Sequence, residues 1–258
     1  MIVCRSAGEL ERMREVGHVV AEVLTALAAA VASGVSTADL DALAAKRIAQ
    51  AGATPAFKGY HGYPATICAS LNDEVIHGIP SGRRVLGEGD IISIDVGASL
   101  DGYFADSAMT LSVGQVSETA ATLLRVTEEA LYKAIERARP GNRVSDISHA
   151  VQRHVEAYGC SVVREFVGHG IGQRMHEEPQ VPNYGEPGHG PRLAAGMVLA
   201  IEPMVNAGKP AVKVLADGWT AVTRDGSLSA HFEHTVAVTA GEPWILTARS
   251  VPVGAAKH

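Results

Sequence analysis

The chain has 258 residues and a formal net charge of −6, with no basic stripe along it, which excludes a surface built to hold nucleic acid or an anionic membrane. Hydrophobic residues make up 47% of it, ample for the core of one large domain or two small ones. Three widely separated cysteines, Cys4, Cys68 and Cys160, lack the spacing of a zinc site and fit reduced thiols in a cytoplasm.

The first residues, MIVCRSAGELERMREVG, carry charge where a secretory signal has its apolar core. The most apolar helical stretch, 19–32, is interrupted by Glu22 and Thr25 and is too short for a membrane span. Ser6 and Glu9 have the spacing of a capping box, opening a helix to about residue 32 with Leu10, Met13, Val16, Val20, Val23, Leu24 and Leu27 on one stripe. Gly34 ends it; a second helix over about 37–50 stops at Gly52. A Gly/Pro/Tyr-rich segment, 54–64, precedes a short strand at 65–70 and the segment that holds His77. Residues 89–114, GDIISIDVGASLDGYFADSAMTLSVG, then read as a hairpin: a strand from Asp90 to Ile94 delivers Asp95, Gly97 and Asp101-Gly102 supply turns, and the returning run carries Asp106.

The plan recurs. Helices are expected from about 117 to 140 and from 145 to 158, and a strand over 161–167. A constant shift of 107 residues superposes Gly34 on Gly141, Asp39 on Asp146, Gly52 on Gly159, Gly89 on Gly196 and Asp95 on Glu202. The second hairpin loop is longer, 31 residues from Glu202 to Glu233 against 11 from Asp95 to Asp106, yet Glu233 still falls on Asp106. These matches predict a single catalytic domain of two pseudo-symmetric halves, roughly 6–116 and 117–246, with a frayed tail at 250–258. The class is α+β: helices cover one face of a curved, mostly antiparallel sheet.

A pseudo-twofold axis would bring the acidic pairs together. Four buried carboxylates without partners would be protonated or would disrupt the sheet, so a compensating charge is required, and two divalent cations balance it. His169, within Gly168-His-Gly-Ile-Gly172, is the expected fifth ligand, its glycines letting the backbone bring an imidazole into a crowded site. Oxygen donors with one nitrogen suit manganese, iron(II), cobalt or zinc. Such a pair of ions lowers the pKa of water from about 15.7 towards about 7, which makes hydrolysis the natural reaction class. His77 and His176 are candidates for proton transfer or oxyanion stabilisation, with hydrogen-bonded loop histidines as the alternative reading. His18, His149 and His154 are expected on helix surfaces; His61, His189, His231 and His234 are expected in structural roles.

Ile94-Asp95-Val-Gly97, Asp106, Gly168-His169-Gly170-Ile171-Gly172, Ile201-Glu202-Pro203-Met204 and Phe232-Glu233-His234-Thr235 together resemble the five-ligand signature of type I methionine aminopeptidases, over nearly the whole chain. The resemblance implies the pseudo-symmetric "pita-bread" fold and removal of the initiator methionine from nascent polypeptides when the second residue is small. By that likeness Asp106 and Glu233 bridge the metals, Asp95 completes one ion, and His169 and Glu202 complete the other. Glu202 is then the general base, His77 meets the scissile amide nitrogen, and His176 meets the carbonyl oxygen. The likeness also implies a methionine pocket of Phe57, Tyr60, Tyr63, Cys68, Met175 and Trp219. Phe57 stands where a cysteine is frequent in bacterial members and Met175 where a phenylalanine is usual. A monovalent cation between the carbonyls of Asn72, Val75 and Ser229, a monomeric state and contact with the ribosome near its exit tunnel are further implications. Two alternatives remain at this stage: Xaa-Pro cleavage on the same fold, for which the roughly 94 residues before Asp95 leave too little room for the usual extra domain, and a non-catalytic peptide-binding relative, which predicts missing carboxylates.

Overall fold

The computed structural model describes residues 1–249, so the tail expected to fray, 250–258, lies outside the described residues. Helix α1 (Ala7–Ala30) opens at the expected capping box, in which Ser6 and Glu9 each accept the other's backbone N–H. Helix α2 (Thr37–Gln50) repeats the device with Ser36 and Asp39. Strands β1 (Thr54–Pro55), β2 (Ile67–Leu71), β3 (Glu74–Ile76), β4 (Ile91–Leu100) and β5 (Tyr103–Ser112) complete the first half.

The second half holds α3 (Glu118–Ile135), α4 (Val144–Ala157), β6 (Ser161–Val162), β7 (Gly168–Gly170), β8 (Glu177–Val181), β9 (Val198–Ile201) and β10 (Met204–Asn206). The long insertion and its return supply β11 (Val212–Val214), β12 (Ala221–Thr223), β13 (Ser229–His231), β14 (His234–Ala237) and β15 (Trp244–Ile245). All strand pairs are antiparallel. Strand β4 is flanked by β5 on one edge and by β1 and β2 on the other, and a five-stranded sheet runs β15-β14-β9-β7-β8. The apolar stripe of α1, Met13 to Leu27, is buried against β4 and β5, while α3 and α4 pack together over the second half.

The internal repeat is visible in the backbone. The matched glycine pairs adopt the same left-handed conformation: φ is 91° and 96° at Gly34 and Gly141, 71° and 74° at Gly52 and Gly159, and 89° and 92° at Gly89 and Gly196. The halves meet where β5 runs beside residues 231–235. Asp106 faces Thr235, Ala108 faces Glu233 and Thr110 faces His231, through bonds of 2.8–3.1 Å that use threonine hydroxyls as well as backbone. Because Asp106 corresponds to Glu233 and Ala108 to Thr235, exchanging the halves maps this pairing onto itself. A local twofold therefore passes between the two acidic arms.

Two expectations need correction. Gly97 is not a turn residue: β4 continues through it to Leu100, because a Cβ there would collide with the Phe57 ring and its absence lets the ring lie against the strand. The hairpin turns only at Asp101-Gly102, where φ is 49° and 79°. The strand expected over 161–167 is interrupted after Val162: Val163 still bonds to Met204, but Arg164 and Glu165 turn outward, and Phe166 and Val167 turn into a cavity.

Candidate metal centre and peptide pocket

Asp95 and Asp106 reach one face of the same hairpin. Asp95 pairs with Ala108 and Asp106 with Gly97, so the two carboxylates are diagonal neighbours on alternating positions. Glu202 follows the last residue of β9, and Glu233 precedes the first residue of β14, opposite it. His169 sits mid-way along β7, beside Ala200 of β9. The glycines around it are explained by crowding: a Cβ on Gly168 would overlap the Ala200 carbonyl, and one on Gly170 would overlap the Glu178 carbonyl.

The donor atoms converge. One ligand atom from each of Asp106, His169 and Glu233 lies within 4.8 Å of the others. His169 Nε2 is 3.6 Å from both Asp106 Oδ2 and Glu202 Oε1, too long for a hydrogen bond but close enough for the groups to share an ion with bonds of about 2.1 Å. Its Nδ1 donates to the Gly170 carbonyl at 2.9 Å, which leaves Nε2 facing the carboxylates as the nitrogen that would bind an ion once deprotonated. Asp95 Oδ1 and Glu233 Oε1 are buried and have no hydrogen-bond partner, a costly arrangement for protein alone and a fitting one for cation ligands.

Electrostatics give the same answer. Burial, then the charge of Asp106 and Glu202, holds Asp95 well above the usual carboxylate range; burial followed by Asp106, Glu202 and Asp95 does so for Glu233. Burial pushes Glu202 up to about 8, opposed by His169. Burial disfavours the His169 cation, but Asp106 and Glu202 outweigh it and raise the imidazole to about 9. Without a metal, this cluster must retain protons.

One cavity is lined by all thirteen side chains singled out in the sequence: the five candidate donors, His77, His176, Phe57, Tyr60, Tyr63, Cys68, Met175 and Trp219. Cys68 pairs with Asp95 across β2 and β4, and burial, with Asp95 second, raises its thiol well above the ordinary value. Tyr63 directs its hydroxyl towards the Ile67 and Gly78 carbonyls, both 3.1 Å away, and packs edge-on against Trp219. His77 adopts φ 60° between Phe166 and Trp219, with its pKa lowered by burial. The His176 ring centroid is 4.2 Å from that of His169, and burial, then His169, depresses His176 to about 4. Its Nδ1 lies 2.8 Å from the Tyr60 hydroxyl, so Tyr60 touches a histidine as well as lining the pocket.

Ile76, Phe166 and Val167 also line the cavity and carried no chemical mark in the sequence beyond proximity to His77 and His169. His231, expected in a structural role, is fully buried beneath Glu202, its Nε2 3.8 Å from Glu202 Oε2 and without a partner. His234 bonds to Thr247, His154 to Glu129 and His149 to the Gly185 carbonyl, while His18 pairs with Glu22 in solvent. Among the described residues no helix is long and apolar enough to cross a membrane.

The model of metallopeptidase family M24 matches residues 11–240. A methionine aminopeptidase of Clostridium acetobutylicum is 56% identical over 96% of this chain and 99% of its own length. The crystal structure of a methionine aminopeptidase from Thermotoga maritima superposes with a TM-score of 0.95 at 46% identity, covering 96% of this chain and 100% of that one. A prolidase from Pyrococcus horikoshii shares the fold at TM-score 0.77 and 24% identity, and covers 98% of this chain but only 65% of its own. The likeness is thus full-length and close on one side, and confined to a shared pita-bread architecture on the other. The chain belongs to metallopeptidase family M24, and within it to the branch of the bacterial methionine aminopeptidases.

Proposed function

We propose that the chain is a metal-dependent methionine aminopeptidase that removes the initiator methionine from nascent polypeptides when the second residue is small. One observation carries this reading: the acidic donors, the histidines and an apolar pocket share a single cavity, so a residue seated in the pocket has its own peptide bond beside the donors. A methionine thioether suits Phe57, Tyr60, Tyr63, Cys68, Met175 and Trp219, which offer aromatic and soft sulfur surfaces. The two halves act as one catalytic domain, since each contributes carboxylates to the centre.

Two divalent ions (manganese, iron(II), cobalt or zinc) would be held by Asp95, Asp106, His169, Glu202 and Glu233. When bound, such ions polarise the scissile carbonyl and make water acidic enough to attack at neutral pH. Glu202, which lines the same cavity beside His169, would accept the proton of the attacking water. His176 is neutral at pH 7; with Nδ1 accepting from Tyr60, its Nε2–H is free to donate to the carbonyl oxygen as negative charge develops there. His77, also kept neutral by burial, meets the amide nitrogen of the bond that breaks. A monovalent cation would sit by carbonyls near Asn72 and Val75 and that of Ser229; the Ser229 N–H already donates to the Asn72 carbonyl at 2.8 Å. The same reading makes the chain a cytoplasmic monomer that meets its substrates near the ribosomal exit tunnel.

Metal-loaded protein is expected to release free methionine from Met-Ala peptides, to leave Met-Leu peptides intact and to stop when chelated. Cleavage of Ala-Pro but not Met-Ala peptides would move it to the Xaa-Pro peptidases.

A further inference from the structure

We infer that Arg5, far from the cavity in sequence, is a positioning residue for His176 acting through Glu177; this rests on the role given to His176 above. His176 lies in the turn between β7 and β8; the Phe104 N–H of β5 ties the start of that turn at the Gly172 carbonyl (2.8 Å), and no strand pairing continues from there to His176. Glu177 holds the remainder. Glu177 Oε1 accepts from the backbone N–H groups of Gln173 (2.9 Å) and Arg174 (3.1 Å), and Oε2 accepts from Arg5 Nη2 at 2.5 Å. The two side chains are only 5% and 7% exposed.

The chain is built around this pair. A Cβ on Gly172 would overlap the Arg5 guanidinium, and one on Gly196 would overlap the Arg5 backbone. Gly196 also accepts the Arg5 N–H at 2.7 Å. Glu9 of the α1 cap lies 3.8 Å from Arg5 Nη1, and Tyr103 donates to Glu9 while receiving from Gln173 Nε2. The start of α1, the start of β5 and the turn before His176 thus form one hydrogen-bonded unit. Removal of the guanidinium leaves a buried carboxylate with no cation, which must leave its place or take a proton. The backbone of Met175 and His176 is then unanchored on the side away from Tyr60, and a displacement of about 1 Å at a reacting group can cost up to about a hundredfold in rate.

The test measures methionine release, metal content, kcat and KM for metal-loaded variants. Arg5→Ala is expected to lower kcat about tenfold with KM changed less than twofold and metal retained, and Arg5→Lys, which keeps the charge, to recover most of the loss. In a His176→Ala background, Arg5→Ala should have no further effect on the residual kcat, since both changes then act on one interaction. A kcat within twofold of the unaltered protein overturns the inference, as does a tenfold loss that persists without His176, because that would mark general loosening. If Arg5→Ala does not fold, Glu177→Gln is read by the same criteria: it keeps a carbonyl acceptor for Gln173 and Arg174 but removes the charge. Failure of the unaltered protein to release methionine would instead overturn the proposed function.

Discussion

A phenol is a hydrogen-bond donor at neutral pH, and burial raises the Tyr60 pKa further, so the 2.8 Å contact with His176 makes Nδ1 the acceptor and puts the imidazole proton on Nε2. Tyr60→Phe keeps the ring in the pocket and removes that constraint. Its kcat should fall about tenfold or more with little change in KM, and the nitrogen-15 shifts of His176 should report a mixture of tautomers. His169→Ala should lose metal on dialysis, whereas His176→Ala should retain metal and lose turnover; normal turnover by the His176 variant would remove it from the mechanism. At this scale the donor chemistry was legible, because aspartate, glutamate and histidine at repeated positions announce themselves. The packing of Phe57 against Gly97 was not: a glycine in a sequence signals freedom to turn and equally well space for a neighbour, and only the neighbour decides.

Helices α1 and α2 start where their capping boxes place them, since a cap is a relation between residues three apart. The contact between β5 and residues 231–235 is another matter. Thr235 exchanges bonds with the backbone of Asp106, receiving its N–H at 3.1 Å and donating to its carbonyl at 2.8 Å, and Ser107 donates to the Glu233 carbonyl. Thr235→Val preserves shape but leaves the buried Asp106 N–H unsatisfied. The cost should be about 1–3 kcal/mol, seen as a lower urea midpoint, with faster metal loss because Asp106 is no longer held at its backbone. The hairpin repeat identifies the two arms as equivalent; it does not state that they lie side by side through hydroxyl bridges.

Over the whole molecule, the buried charges give the metal-free protein an unusual dependence on pH. Glu202 at about 8, Asp95 and Glu233 well above their ordinary range and His169 at about 9 all bind protons more tightly folded than unfolded. The three carboxylates therefore lose that advantage as pH rises from about 4 through their raised values, and His169 loses it from about 6.5 to about 9. His176 at about 4, His231 at about 3, and the lowered His77 and His234 act in the opposite sense, since the unfolded chain takes up protons below about 6.5 that the folded one refuses. Above about pH 6.5 the lowered histidines no longer oppose the raised groups, so chelated protein should melt progressively lower from pH 6.5 to 9; a flat melting temperature over that range would contradict the buried-carboxylate account. Metal should abolish the alkaline decline and release protons as it binds. By itself, the sequence determined the helices, the duplication and the set of candidate donors that the fold brings to one cavity, because each is written in residue type and short or repeated spacing. Tertiary structure alone decided that the arms lie side by side through threonine and serine hydroxyls, that Ile76, Phe166 and Val167 close the cavity, and that Arg5 reaches the turn before His176. Those contacts join residues far apart in the chain, and they are selected by which surfaces can be buried together rather than by any local pattern.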